Sequence, residues 1–369
     1  MNHTTKNKRI SIVMAVYNGE RFLKPTIASI LSQSFEDFEF IIVNDGSEDE
    51  TQNIIEEYHD DRIILINNTQ NMGQTASLNI GLQNARGTYI ARTDAGDIST
   101  PERLRKQFQY LENHSDVDIL GTAVFQYDMA GNLCGKIFLP NRPSTILQRI
   151  FFACPVVHVS VMMRRDRILE LGGYDESYGI LADFGLWARA LQHGFRFWNL
   201  DEILAGYLVT PDSFGSSHGR GRSIQEASRI ICDLALALTG DHLSFDQAED
   251  IYRFFVFGSQ DLDSERLRKN EALFEGLLLK LQTARRDIDY LLLRSYTKTL
   301  TGREFFLSSQ KSLRKDALRG VLNRCGGVFS RHLFEDLHRG IKSLRRRNYS
   351  VMGMNAPVFV YPAEESVNA

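Results

Sequence analysis

Apolar positions in the first third of the chain come in short β-branched runs, at residues 10–15, 38–43, 63–66, 89–91 and 118–125, separated by stretches of helical period. Uninterrupted runs of this kind predict strands covered on both faces, and their alternation with helices predicts a parallel sheet. The helices announce their own starts. Ser47 to Thr51 supplies capping groups for a helix over 52–58, the loop Asn71-Met72-Gly73-Gln74 leads into one over 75–84, and Pro101-Glu102 opens one over 101–113. From Gly131 to Tyr207 the pattern is mixed, with a turn at 129–132, an apolar run over 156–163 and a helix over 184–192. Beyond Gly219 only helical periodicity remains, over 224–238, 244–257 and 264–294. The expectation is an α/β domain over 1–218, a helical region over 219–350 and a flexible tail over 351–369.

Two of the strand runs lead straight into acids, as Val43-Asn44-Asp45-Gly46-Ser47 and Arg92-Thr93-Asp94-Ala95-Gly96-Asp97. Ligands of open α/β sheets gather beyond the carboxyl ends of the strands, so both clusters are expected on one crevice. The segment after the first strand, Ala15-Val16-Tyr17-Asn18-Gly19-Glu20, has a single glycine where a dinucleotide fingerprint needs three, which disfavours a nicotinamide enzyme.

Composition narrows the partners. A net charge of -3 over 369 residues gives no whole-molecule attraction to nucleic acid, and none is expected as a partner. The four cysteines, Cys134, Cys154, Cys232 and Cys325, are scattered, which argues against a disulfide framework or a zinc site and for a reducing, cytoplasmic setting. No apolar run approaches the roughly 20 residues of a spanning helix. Within 331–347, Leu333, Phe334, Leu337, Ile341 and Leu344 fall at helical spacing while Arg331, Arg339, Lys342, Arg345, Arg346 and Arg347 fill other positions. That pattern suits either an anionic membrane surface on the inner face of the cell membrane or packing on the protein's own domain. The extra helices are equally candidates for a homodimer contact.

Met14 to Glu20, Val43 to Ser47 and Arg92 to Asp97, in that order, resemble the nucleotide-sugar half of family 2 glycosyltransferases, over roughly residues 9–215. The resemblance implies a GT-A fold, a Rossmann-like mixed sheet, and inverting transfer of a sugar from a nucleotide-diphospho-sugar, a UDP-sugar, to a saccharide or lipid-linked acceptor in cell-surface glycan synthesis. It implies that Asp45 accepts the uracil N3 hydrogen, that Tyr17 offers the base an aromatic face, and that Val16, Gly46, Gly73, Arg92, Asp94 and Ala95 complete the donor site. It makes Asp183, in Ala182-Asp183-Phe184-Gly185-Leu186-Trp187, the base that deprotonates the acceptor, with His158 and Trp187 on the acceptor side. For Mg²⁺ or Mn²⁺ it offers Asp94, with Asp97 as a substitute ligand.

The chain departs from the family pattern at three places. Gly96 stands where relatives carry a second carboxylate, Ala182 replaces a Glu, and Leu208 and Thr210 replace a charged pair near the diphosphate. Arg220, Arg222 or His218 could supply a substitute cation. Local structure offers other uses for the same residues: Asn-Asp-Gly-Ser is turn chemistry, Asp97 and Asp183 precede helices they could cap, and a His in an apolar run is commonly a core group. A second function stays open beside the enzyme, a non-catalytic nucleotide-binding partner or scaffold within a glycan-assembly complex.

Overall fold

A computed structural model describes residues 9–141, 143–151, 153–210 and 220–257, with a few helical positions between 269 and 281. One compact unit runs to Tyr252 and a second begins at Arg253. In the second unit the described positions are helical. The basic stretch 331–347, most of 264–294 and His218 lie outside the described residues.

The first unit is built on one mixed sheet. Its strands are β1 (Ile10–Val16), β2 (Phe38–Asn44), β3 (Ile63–Asn67), β4 (Tyr89–Arg92), β5 (Ile98–Ser99), β6 (Ile119–Tyr127), β7 (Leu133–Ile137), β8 (Met162–Arg164) and β9 (Phe197–Leu208). The spatial order is β3-β2-β1-β4-β8-β6-β9-β5, with β7 paired on β6. The first four strands are mutually parallel, and Val16 pairs with Asn44, which in turn pairs with Asn67. All their carboxyl ends therefore open on one edge. Strand β8 then runs antiparallel to both β4 and β6, which makes the sheet mixed.

The helices are α1 (Leu23–Leu31), α2 (Thr51–Glu56), α3 (Gln74–Asn84), α4 (Arg103–Asn113), α5 (Pro143–Arg149), α6 (Arg165–Glu170), α7 (Ala182–Gln192), α8 (Arg220–Thr239) and α9 (Phe245–Phe257). Side chains of α1 and α4, among them Leu23, Ile27, Ile30, Leu104 and Leu111, form one core with Ile10, Ile12, Met14, Phe40 and Ile42. Each such side chain contributes on the order of 1.5–3 kcal/mol by leaving water. Helix α3 packs very closely on β1: a Cβ on Gly81 would lie 2.5 Å from Val13 Cγ1.

The β-branched runs became strands as expected, but the apolar run 156–163 did not stay one element. It divides into a 3₁₀ turn, His158–Ser160, and the short β8. The longest strand, β9, was not foreseen. Its burial alternates at first and then breaks at Asp201-Glu202, where its pairing with β6 shifts register, so no clean period of two survives in the sequence.

Candidate active site

The loops after β1 and β2 are stitched together at the crevice edge. Asn18 adopts a positive φ of 49°, its backbone N–H donates to Ser47 Oγ, and its side-chain oxygen accepts from Glu48 N–H. Gly19 N–H donates to Thr51 Oγ1 at 2.7 Å. Tyr17 is thereby left 45% exposed, free to offer a ring face. Val16 is buried in the core, so it shapes this loop from behind.

Asp45 lies beneath a third loop and organises it. Its carboxylate accepts from Asn68 Nδ2 at 2.8 Å, Met72 N–H at 2.8 Å and Gly73 N–H at 2.9 Å. Gly46, at φ 69°, allows that loop to approach: a Cβ there would sit 2.5 Å from the carbonyl carbon of Gln70. Burial by itself would raise the Asp45 carboxyl, but donors from Met72, Asn68, Ser77 and Gly73 outweigh it and hold Asp45 below the ordinary range. Asp45 is thus ionised, and one carboxylate ties strand β2 to the start of α3.

Beyond β4 the acids are treated differently. Arg92 is fully buried; it donates to Asp94 Oδ1 at 2.5 Å and to Val13 O at 3.0 Å. Gln74 Nε2 reaches the same Asp94 oxygen at 3.3 Å, so the start of α3 and the end of β4 share this carboxylate. Burial works against charge on both partners, yet the Arg92–Asp94 pair raises the guanidinium and lowers the carboxyl. The Asp94 side chain remains 28% exposed. Ala95 lies partly buried against the core.

Asp94 to Asp97 is a tight turn closed by Asp97 N–H donating to Asp94 O at 3.0 Å, with Gly96 at φ 102° in the position that a turn of this kind reserves for glycine. Asp97 does not cap α4. Its Oδ1 accepts from Leu208 N–H at 3.0 Å, while its Oδ2 is buried without a hydrogen-bond partner. Burial, reinforced by the charge of Asp94, raises the Asp97 carboxyl well above its ordinary value. Below it, Arg103 is buried and donates to Ser99 Oγ, Arg92 O and Val161 O; burial and the charge of Arg92 lower it to about 9.

Whether this turn suits the expected Mg²⁺ or Mn²⁺ follows from its donors. Hard divalent cations take six or more oxygens. Here Asp97 is turned inward onto Leu208, Asp94 is already neutralised by Arg92, and a Cβ at Gly96 would lie 2.7 Å from Leu208 Cδ2. Among the described residues no group of three His, Cys, Asp or Glu side chains is arranged to hold a metal ion. The pair Asp94 and Asp97 does not fit a divalent cation.

The side expected to take the acceptor is built from the 3₁₀ turn His158–Ser160, the loops that carry Cys154 and Tyr174, and α7. Asp183 lies in the first turn of α7, where its Oδ1 accepts from Phe184 N–H at 2.7 Å and its Oδ2 from the Cys154 thiol at 3.3 Å. Burial is the main influence that raises its carboxyl; the two donors oppose this and the charge of Asp94 adds to it. His158 Nε2 stands 3.2 Å from Arg92 Nε and 2.7 Å from the Tyr174 hydroxyl. Burial and the Arg92 charge bring it down to about 3, so the ring is neutral and accepts from both. Trp187 is fully buried with its ring edge-on to His158, and supports that ring rather than facing a ligand.

The loop before α7 is held from α8. Glu226, buried, accepts from Gly179 N–H at 3.0 Å, Ile180 N–H at 3.0 Å and Leu181 N–H at 2.8 Å, and pairs with Arg222 at 2.9 Å. Arg222 is therefore engaged by Glu226, and the side chain of Arg220 lies outside the described residues. On the other side, Thr75 of α3 donates to Tyr178 O at 3.3 Å, and Asn79 exchanges two bonds with Tyr174. Gln74 ends the loop read from the sequence as the entry to a helix, whereas sequence spacing pointed to none of Cys154, Arg103 or Glu226. Tyr174 lies within Leu171-Gly172-Gly173-Tyr174-Asp175-Glu176, a segment that also resembles the family, and Arg103 stands next to a helix start.

The comparison with known proteins fits this geometry. Residues 11–172 match the model of glycosyl transferase family 2. An uncharacterized glycosyltransferase of Methanocaldococcus jannaschii is 40% identical over 206 residues, which cover 54% of this chain and 70% of the relative. The chain belongs to glycosyl transferase family 2. A putative glycosyltransferase of Bacillus subtilis, EpsE, is 39% identical over 210 residues, 56% of this chain and 74% of EpsE. Among solved structures, residues 1–349 of S. aureus TarS in complex with UDP-GlcNAc superpose with a TM-score of 0.52 at 16% identity, covering 80% of this chain and 89% of that fragment. That likeness establishes the GT-A fold. The family match ends before Asp183, Leu208 and Glu226, so the acceptor side of this glycosyltransferase rests on the geometry above.

Proposed function

We propose that this glycosyltransferase moves a sugar, with inversion, from a UDP-sugar to a saccharide or lipid-linked acceptor in the synthesis of a surface glycan. The observation that carries the reading is a run of contacts from Asp94 through Arg92 and His158 to Trp187 of α7, the helix that also carries Asp183. Asp94 is held ionised by Arg92, and Asp183 is a carboxylate raised by burial, as a general base requires. Relatives named for amylovoran and O-antigen biosynthesis, and TarS bound to UDP-GlcNAc, support the donor and acceptor classes.

On this reading the base lies near Tyr17, over the loop anchored by Asp45, and the diphosphate lies toward the start of α3. Asp183 takes the proton of the acceptor hydroxyl as that oxygen forms its bond to the anomeric carbon. The bond from that carbon to the diphosphate oxygen breaks on the opposite face, and UDP leaves with the electron pair. Neutral His158, fixed by Tyr174 and Arg92, borders the acceptor without competing for the proton.

Transfer from UDP-sugars to a panel of saccharide acceptors tests the reading. Asp183→Asn should lower kcat by about 10²–10⁴-fold while UDP affinity by calorimetry stays unchanged. Full activity in Asp183→Asn would remove the base assignment. UDP binding with no hydrolysis or transfer by the wild type would favour a non-catalytic partner of a glycan-assembly complex.

A further inference from the structure

Two departures noted far apart in the sequence meet in space. Gly96 lies at φ 102°, and the side chain of Leu208, the last residue of β9, occupies the place where its Cβ would begin, with Cδ2 at 2.7 Å, Cβ at 3.5 Å and Cγ at 3.7 Å from that point. The backbone N–H of the same Leu208 holds Asp97 Oδ1 at 3.0 Å. Leu208 therefore does two things at once: it fills the volume a second carboxylate would need, and it turns the neighbouring carboxylate inward. Tyr127 closes the far side, its hydroxyl donating to Gly96 O and its ring clustering with Leu208. Thr26 Oγ1 accepts from Gly96 N–H at 2.9 Å, so the turn is pinned from α1 as well. The remaining acid, Asp94, is paired with a fully buried arginine that cannot move away without leaving its own charge unpaired.

We propose that this site binds the diphosphate of its donor without a divalent cation on the Asp94–Asp97 turn, because Leu208 and Gly96 form an apolar plug where the second metal ligand would stand. The proposal rests on the reading of the crevice as a nucleotide-diphospho-sugar site. Arg92 is the fixed cation of the turn, and it acts by setting the position of Asp94.

Calorimetric titration of UDP into the full chain, once in EDTA and once with Mn²⁺ in excess, decides it. The expected result is a UDP dissociation constant that changes by less than about threefold between the two, a difference under 0.7 kcal/mol. Tightening by more than that with Mn²⁺, reversed by EDTA, would overturn the proposal and leave the donor reading intact. Absence of UDP binding in both conditions would instead sink the donor reading, and this proposal with it. The double variant Gly96→Asp/Leu208→Ala sharpens the cause. It should gain at least tenfold tighter UDP binding in Mn²⁺, whereas a variant that folds by circular dichroism and stays indifferent to Mn²⁺ would show that Leu208 is not what excludes the metal.

Discussion

Asp45 and Asp97 are nearly equally inaccessible, 2% and 4% exposed, and both follow strands of one sheet at one edge, yet they sit in opposite states. Asp45 receives two backbone N–H groups and Asn68, and is held ionised; Asp97 receives one backbone N–H, faces the charge of Asp94, and is raised well above its ordinary value. Burial is common to both and favours the neutral form in each. What separates them is that Asp97 lies deeper and faces the charge of Asp94, whereas Asp45 collects several donors from the surrounding loop. The loop after β2 is built to surround a charge, and the turn after β4 is built to suppress one.

The largest effect should come from breaking the first region. Asp45→Ala leaves Met72 N–H without its acceptor and Gly73 N–H and Asn68 with one acceptor each, Asn71 Oδ1 and Ser77 Oγ, and should cost about 3 kcal/mol in urea unfolding together with the loss of UDP binding. Stability equal to wild type would mean that Asp45 does not organise its loop. Next comes the clamp on the acceptor side. Glu226→Gln keeps the shape but offers three N–H groups one oxygen in place of two, and should cost about 2 kcal/mol. Since the clamped loop leads directly into α7, kcat should fall about tenfold at unchanged UDP affinity. Weakened UDP affinity with kcat preserved would place the clamp on the donor side instead.

The smallest effect sharpens the comparison. A protonated carboxyl resembles an amide, so Asp97→Asn should lie within about 0.5 kcal/mol of wild type at acid pH. The pH dependences should then have opposite sign. The Asp45 carboxyl is lower folded than unfolded, so its contribution is present above about pH 4 and disappears as pH falls; Asp45→Asn lacks that loss. The Asp97 carboxyl is raised in the fold, so its contribution is complete below about pH 4 and is lost as pH rises through the raised value. Asp97→Asn should therefore gain on wild type as pH increases. Parallel unfolding curves for wild type and both Asn variants from pH 3 to pH 9 would collapse the distinction.

Much of this was legible along the chain. The runs at 10–15 and 38–43 are β-branched because they are covered on both faces, and the acids at their ends mark the crevice edge without any coordinates. The helix over 184–192 was placed within two residues of α7. Asp183 was also weighed as a cap, and the fold gives it a different place: it lies inside the first turn, and the backbone N–H groups before it belong to Glu226. No spacing could have shown that, since Glu226 reaches back 45 to 47 residues.

The sequence by itself determined the four parallel strands and β6, which edge gathers the acids, and that Gly96, Ala182, Leu208 and Thr210 depart from the family pattern. These are local matters of period, branching and turn chemistry, and local matters are written in order along a chain. Only the tertiary structure decided what the departures amount to. That Leu208 packs into the space above Gly96, 112 positions away, that Asp97 turns inward while Asp45 stays charged, and that α8 holds the loop before α7 all depend on which elements lie beside which. The register of β9 against β5 and β6 sets those contacts, and it is fixed by side chains that meet only when the sheet is complete.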